Sequence, residues 1–260
     1  MLTDERQGRT AVVRFDRKDG KNALSLAALT AMRDRFEAMR RESDPPSAVI
    51  ITGTAELFSV GFDLRDPAVE RLASASIPER LRGPRLGTEA CKALAALEGY
   101  TIAAVEGWCL GGGLALALAA DLIIAGVDAR FGLPEIDRGL SLSWTALPRL
   151  LVRAGPAAGK RLAILGETID AETAQTFGVA DEVVPAGTAL ARALELAERA
   201  AAKPPLALRM IKRGANAWAE AQVASAALDE EQFALATLSE DFAESLDAFR
   251  TKRAPNLKGR

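Results

Sequence analysis

Short apolar runs recur through the first two thirds of the chain, at TAVVRF (10–15), AVIITG (48–53), TIAAVEG (101–107), DLIIAG (121–126) and ARFGL (129–133). Turn residues bound each run, and stretches of helical periodicity separate several of them, so they read as buried strands of an α/β core. A helix is expected from an N-cap at Ser25 to about Glu42, with Leu26, Leu29, Phe36 and Met39 as its apolar stripe. A second is expected over 86–97. Helices dominate from Trp144 onward, apart from a strand-like VADEVV (179–184), and residues 190–253 are nearly all helical around Lys203-Pro204-Pro205. The stretch from Asp66 to Arg85 is polar and without clear period, the best candidate for a mobile surface segment. No repeat, low-complexity tract or heptad pattern is evident.

The sharpest local feature is CLGGGLALALAADLIIA (109–125), three glycines ahead of an apolar run that reads as helix. Glycine is the poorest ordinary helix former, so three in a row need a reason. A phosphate loop requires GxxxxGK[ST], and no Lys-Ser or Lys-Thr pair follows. A dinucleotide fingerprint requires glycine at 111, 113 and 116, but residue 116 is leucine. Close packing of helix on strand is one remaining explanation. The other is an oxyanion, because a helix N-terminus carries free N–H groups that glycine leaves unobstructed. FSVGFDL (58–64) offers a second glycine-opened turn as a source of another donor.

Composition narrows the chemistry. The 260 residues contain no histidine, which removes Ser-His-Asp and Cys-His nucleophiles and His-based zinc sites. Cys91 and Cys109 form no CxxC, so neither metal nor disulfide framework is expected, and a cytoplasmic setting is. Lys and Arg number 33 against 35 Asp and Glu, a balance that calls for no nucleic acid. The N-terminal residues are charged from the fourth position, and Asp121 breaks the apolar run well short of a membrane span. Acid–base work therefore falls to Asp, Glu, Lys, Cys or the single tyrosine, Tyr100, and with 35 carboxylates in the chain a carboxylate comes first.

The blocks AELFSVGFDL (55–64), TIAAVEGWCLGGGLALALAADLIIAGVDARFGLPEI (101–136) and AFRTKRAP (248–255) resemble the crotonase superfamily, the enoyl-CoA hydratases and isomerases, in order and spacing from about Arg9 to Lys258. The resemblance implies a spiral core of β-β-α units over residues 1–200 carrying an acyl-CoA site. It also implies a helical portion over 201–260 that trimerises and covers the CoA pocket, in trimers or paired trimers. Backbone N–H groups of Phe62 and Gly112 would hold the thioester oxygen, with the helix dipole stabilising the enolate. Lys21 and Ala23 would contact CoA, while Ser59, Gly61, Asp63, Leu64 and Gly111 shape the site. Asp63 is expected to order the oxyanion turn through its side chain. Trp108, Leu140, Leu142, Ser143 and Trp144 would line the acyl pocket, and Lys252 and Arg253 would meet the CoA phosphates or only cap a helix. No cofactor beyond the substrate's own CoA is implied.

Hydratases of this family carry two glutamates. Here the first position is Ala115, the second is Glu135, and a position used by other members for aspartate is Ser143. Glu135 stands among Phe131, Leu133, Pro134 and Ile136, so desolvation should raise its pKa. A single base suits double-bond migration better than hydration. Hydration with water held by groups other than carboxylates, decarboxylation, and a non-catalytic acyl-CoA binder are the other readings that the residues leave open.

Overall fold

A computed structural model describes residues 2–71, 75–223 and 228–260. Strands β1 (Leu2–Gln7), β2 (Thr10–Phe15), β3 (Ala48–Thr52), β4 (Tyr100–Val105), β6 (Leu122–Gly126) and β9 (Glu182–Val184) form one sheet, in that spatial order. All its pairings are parallel except β1 with β2. Strands β5 (Trp108–Leu110), β7 (Arg130–Gly132) and β8 (Thr168–Asp170) form a second, smaller sheet. The chain deals successive strands to alternate sheets, β4 then β5, and β6 then β7, which is the repeated β-β-α turn of a spiral. The four inner strands of the large sheet are buried almost throughout, as expected for parallel strands covered on both faces.

Helix α1 (Leu26–Arg40) starts at Ser25, whose hydroxyl accepts from Ala28 N at 3.2 Å, and it ends two residues before the sequence suggested. Leu29, Met32, Phe36 and Met39 are wholly buried, each contributing about 1.5–3 kcal/mol relative to exposure. Leu26, expected in that stripe, turns toward a cavity instead.

Residues 66–85 depart most from the expectation. They contain a short helix, α2 (Pro67–Glu70), and the start of a long one, α3 (Ile77–Ala95), nine residues ahead of the expected boundary. The expected mobility concerns in part residues 72–74, which lie outside the described residues. A capping box between Ser76 and Glu79, with Pro78 in the first turn, opens α3. The apolar run after the glycines is also split. Helix α4 (Gly112–Ala117) lasts only six residues before the chain turns into β6.

Helices α5 (Ala146–Leu165), α6 (Ala171–Thr176), α7 (Ala189–Ala201), α8 (Pro205–Val223), α9 (Asp229–Ala236) and α10 (Glu240–Thr251) complete the molecule. α9 packs on α3, and α10 packs on a 3-10 turn over Ile136–Arg138. The C-terminal helices thereby close one side of the cavity described next.

Candidate active site

A cavity of about 770 Å³ lies between the two glycine turns, α3 and the C-terminal helices. Its innermost wall is backbone. Strand-like pairing of Leu24 with the turn runs from Leu24 N to Gly61 O at 2.8 Å and from Asp63 N to Leu24 O at 3.0 Å. The N–H of the residue between them, Phe62, therefore points the other way and has no hydrogen-bond partner among the described residues. Gly112 stands at the first position of α4, and its N–H is likewise unpaired among them. The two donors are neighbours, since a Cβ placed on Gly61 would lie 3.2 Å from Gly112 N and 2.8 Å from Leu110 O. Gly61 has φ 96°, where no side chain is at ease.

Each of the three consecutive glycines answers a different neighbour. A Cβ on Gly111 would meet Glu135 Oε1 at 2.9 Å, one on Gly112 would meet Trp144 Cζ3 at 2.3 Å, and one on Gly113 would meet Ser59 Cβ at 2.8 Å. So a carboxylate, an indole and a supporting serine all crowd this short backbone segment. Close packing and an open N–H are both served. Because α4 is so short, few aligned peptides stand behind Gly112, and the field here comes mainly from the two N–H groups.

Glu135 is the chemically distinctive side chain. Its carboxylate is buried, Oε2 has no hydrogen-bond partner, and burial pushes its pKa up to about 7. Its own backbone N–H and the Arg138 guanidinium pull the other way without cancelling the rise. A carboxyl with that pKa exchanges protons readily near neutral pH. Ala115 lines the same cavity and brings no second acid.

Asp63 also lines the cavity but is committed. Burial raises its pKa, yet the hydrogen bond from Arg17 at 2.7 Å and the Arg65 N–H at 3.0 Å outweigh burial and hold it below the ordinary carboxylate range. It clamps the turn that carries Phe62. Gly61, Leu64, Gly111, Leu140 and Ser143 all line the cavity, as do Lys21 and Ala23 near its exposed part.

Five expected residues stand elsewhere. Trp108 lies on β5, 46% exposed, outside the cavity, because strand alternation sends it to the opposite side from Cys109. Ser59 is fully buried behind the wall, where its hydroxyl donates to Asn22 O at 2.8 Å and accepts from Gly61 N at 3.1 Å. Leu142 packs against the hydrophobic core instead of lining the cavity. Lys252 caps α10 in a left-handed conformation, and Arg253 is bound by Glu244 and Asp247, so neither lines the cavity of this chain.

Trp144 lines the cavity as expected, and three contributors carry no expectation from the sequence: Asn22, Thr145 and Arg80. Buried Asn22, with φ 48°, ties Phe15 O to Phe58 O through its amide, and a turn asparagine is the signal that points to such a role. Trp144 and Thr145 both adopt left-handed conformations, with φ 62° and 56°, and Thr145 N is held by Asp229 Oδ2 at 2.8 Å. The indole they present stands edge-on to Phe62, with ring centroids 6.2 Å apart. The third is Arg80, buried in the cavity wall from α3.

Among the described residues, no cluster of His, Cys, Asp or Glu could hold a metal ion, and no helix is long and apolar enough to cross a membrane. Comparison with known proteins agrees with the geometry. The sequence model of the enoyl-CoA hydratase/isomerase family matches residues 5–260. The 2,3-dehydroadipyl-CoA hydratase of Escherichia coli is 35% identical over 100% of this chain and 99% of its own. The crotonyl-CoA hydratase of Syntrophomonas wolfei is 30% identical over 97% and 96%. Among solved structures, an enoyl-CoA hydratase/isomerase from Xanthobacter autotrophicus superposes with a TM-score of 0.85 at 29% identity, covering 96% of this chain and 93% of that one. One from Pseudoalteromonas atlantica gives 0.82 at 27%, covering 99% of each. The chain belongs to the enoyl-CoA hydratase/isomerase family, within the crotonase superfamily.

Proposed function

We propose that the cavity holds an acyl-CoA thioester with its carbonyl oxygen between the N–H groups of Phe62 and Gly112, and that Glu135 alone moves the proton. The reaction this favours is double-bond migration. Glu135 takes a proton from the α carbon of a 3-enoyl thioester, and the C–H electrons spread over a dienolate whose charge rests on the held oxygen. The same carboxyl then returns the proton to the γ carbon, leaving the 2-enoyl thioester. The observation that carries this reading is the pairing of Glu135, buried with Oε2 unpartnered, with Ala115 at the position where family hydratases place their other glutamate. A general base of this kind supplies roughly 10²–10⁴ in rate, and each oxyanion donor roughly 10²–10³. The chemistry drawn uses no group beyond the CoA of the substrate.

Hydration is the second reading, favoured by the hydratase names of the relatives and by Ser143 in the cavity wall as a group able to hold a water. Incubation with 2-enoyl-, 3-enoyl- and malonyl-CoA thioesters, followed by mass analysis, separates the outcomes. An unchanged mass with a shifted double bond supports migration. Gain of one water means hydratase, loss of carbon dioxide means decarboxylase, and thioester binding without change means a binding protein.

Lys21 and Arg65 are among the exposed cations of the lining, with Arg71 and Arg82, that could meet CoA phosphates. We also propose self-association through α8, where Leu206, Met210, Ile211 and Trp218 are 65–73% exposed, an apolar face that a trimer would cover. Sedimentation at varied concentration tests it, and a monomer throughout would discard it.

A further inference from the structure

Arg80 is 6% exposed, yet among the described residues no carboxylate lies within ion-pair distance of it. Its Nε donates to Ala75 O at 3.1 Å, and its Nη1 donates to Thr237 O and Thr237 Oγ1, both at 3.0 Å. These partners are neutral, and they leave Nη2 without a protein partner among the described residues. The other acids of the cavity are not near enough to help. Asp63 is bound to Arg17, Glu79 caps α3 through Ser76, and Glu135 is held by its own backbone N–H and lies in the field of Arg138. The Nη2 edge is thus left facing the cavity, and a nearly buried guanidinium with no counter-charge among the described residues is costly enough that proteins rarely keep one without a use.

The position of Arg80 says what the use is. Along α3, a Cβ on Gly83 would touch Phe62 Cζ at 3.9 Å, and one on Gly87 would run into the Trp144 indole. Arg80 precedes these by three and seven residues, so all three share one face of the helix. At 1.5 Å rise per residue, Arg80 stands about 10 Å along the axis from the Trp144 contact. Phe62, Pro84, Phe233 and Phe242 make the lining apolar around that path. The cavity is thus an apolar channel with a catalytic backbone at one end and a buried cation further along. Three chain bonds extend about 3.6 Å, so a six-carbon acyl chain plus one hydrogen bond covers about 9 Å.

We propose that Arg80 is a specificity-determining residue that binds a carboxylate at the far end of the acyl chain, so that the preferred substrates are mono-CoA thioesters of unsaturated dicarboxylic acids. This rests on the acyl-CoA reading above. The carboxylate supplies the missing counter-charge in a desolvated setting, where such a pair discriminates strongly against a methyl terminus. Thr237, in the α9–α10 connection, orients the guanidinium for it.

The test compares the hexanedioyl and hexanoyl mono-CoA thioesters, and CoA alone, by titration calorimetry, with the eight-carbon pair alongside. Turnover of the corresponding 3-enoyl pairs is followed in parallel. The unaltered protein should prefer the carboxylate-ended thioester by tenfold or more at one of the two lengths. Arg80→Gln should erase that ratio while leaving the methyl-ended thioester and CoA within about threefold, and Arg80→Lys should restore part of it. If thioesters bind and turn over but the unaltered protein shows no preference at either length, the proposal is overturned and the acyl-CoA reading stands. That ratio needs no variant, so it decides even if Arg80→Gln fails to fold. Equal weakening of both thioesters in Arg80→Gln would assign Arg80 to the fold or to a CoA phosphate, also against the proposal. If the folded protein binds no thioester and no CoA, the acyl-CoA reading falls, and this inference with it.

Discussion

On one side of the cavity, residues 60–64 and 110–115 present glycines and two N–H groups unpaired among the described residues; on the other, residues 79–84 of α3 and residues 233–249 of α9 and α10 present arginines and phenylalanines. The first side is backbone fixed by core strands, where added side chains collide with Trp144, Ser59 or Leu110 O. The second is assembled from helices that meet only in the finished fold. Chemistry common to all thioesters needs the same oxygen held in the same place, and rigid backbone does that well. Discrimination between acyl chains needs side chains, which can differ without disturbing the oxygen. The contrast predicts that changes on the first side alter turnover of every substrate, whereas changes on the second alter which substrate is turned over.

The largest effect belongs to Glu135, which reaches the first side over Gly111. Glu135→Gln should reduce turnover by about 10²–10⁴ while thioester binding persists. Exchange of the substrate α proton in heavy water gives the direct check. Exchange that continues in Glu135→Gln but stops in Asp63→Asn or Asp137→Asn would move the base elsewhere. With a pKa of about 7, the active carboxylate form is lost as pH falls, so kcat/KM should drop below neutral pH and level off above it. Stability runs the opposite way. A carboxyl whose pKa is raised on folding destabilises the protein as pH climbs from its unfolded value near 4.5 through 7. Glu135→Gln should therefore be the more stable protein at pH 8, by at most about 3 kcal/mol, and no less stable at pH 4. Equal denaturation midpoints at both pH values would show that the carboxylate is better solvated than its burial indicates.

Gly112→Val comes next, with about a hundredfold loss expected for every thioester. Here the geometry adds a complication, since the new Cβ falls on the indole of Trp144. Two causes of failure, a blocked N–H and a displaced indole, can be separated by combining Gly112→Val with Trp144→Ala. If the double variant regains most of the activity, the indole was the obstacle, and the oxyanion assignment of Gly112 loses its support.

The first side was largely legible in the sequence because its residues are contiguous. GGG and SVGF each announce a backbone need, and the resemblance of the same blocks to the crotonase superfamily implies the acid positions. The second side was not legible. The inward face of α3 carries Arg80, Gly83 and Gly87 in place of an apolar stripe, so residues 66–85 show no helical period even though Ser76 and Glu79 spell a capping box. Nothing local marks Arg80 as buried, because its partner Thr237 lies 157 residues away. Strand β1 went unnoticed for a similar reason. It is a polar edge strand, so it lacks alternation, and its pairing with β2 supplies what its side chains do not. The expected place of Trp108 in the pocket lining failed on a single step of strand alternation that spacing alone did not fix.

Ala115→Glu tests how far the first side limits the reaction. Ala115 is 2% exposed and lines the cavity on α4, so a glutamate there would bring a second carboxylate to the site of Glu135. Hydration of crotonyl-CoA should rise about tenfold from a slow starting rate, since two carboxylates can orient water and deliver its proton. If the unaltered protein already hydrates crotonyl-CoA at 10⁶ M⁻¹s⁻¹ or above, roughly the level of efficient enzymes, the argument from a single carboxylate is wrong.

The smallest expected effect lies where the two sides are tied together. Asp229 opens α9 on the second side, and its Oδ2 accepts from Thr145 N at 2.8 Å. That bond holds two successive non-glycine residues, Trp144 and Thr145, at positive φ, a conformation worth avoiding by roughly 1–3 kcal/mol per residue. The Thr145 hydroxyl, donating to Trp144 O at 2.6 Å, shares the task, so loss of Asp229 should loosen the turn without releasing it. Asp229→Ala should cost about 1–2 kcal/mol of stability and only a few-fold in turnover. Asp229→Asn, which keeps an oxygen acceptor, should cost less on both counts. Because Trp144 packs on Gly112 and Phe62, the loss in turnover should fall equally on methyl-ended and carboxylate-ended thioesters, even though Asp229 belongs to the wall that selects between them. Acrylamide quenching of the Trp144 emission, with Trp108 and Trp218 replaced by phenylalanine, follows the turn itself. Unchanged quenching together with a shifted substrate preference would mean that α9 acts through Arg80 and Thr237 alone, with the two walls dividing their labour more sharply still.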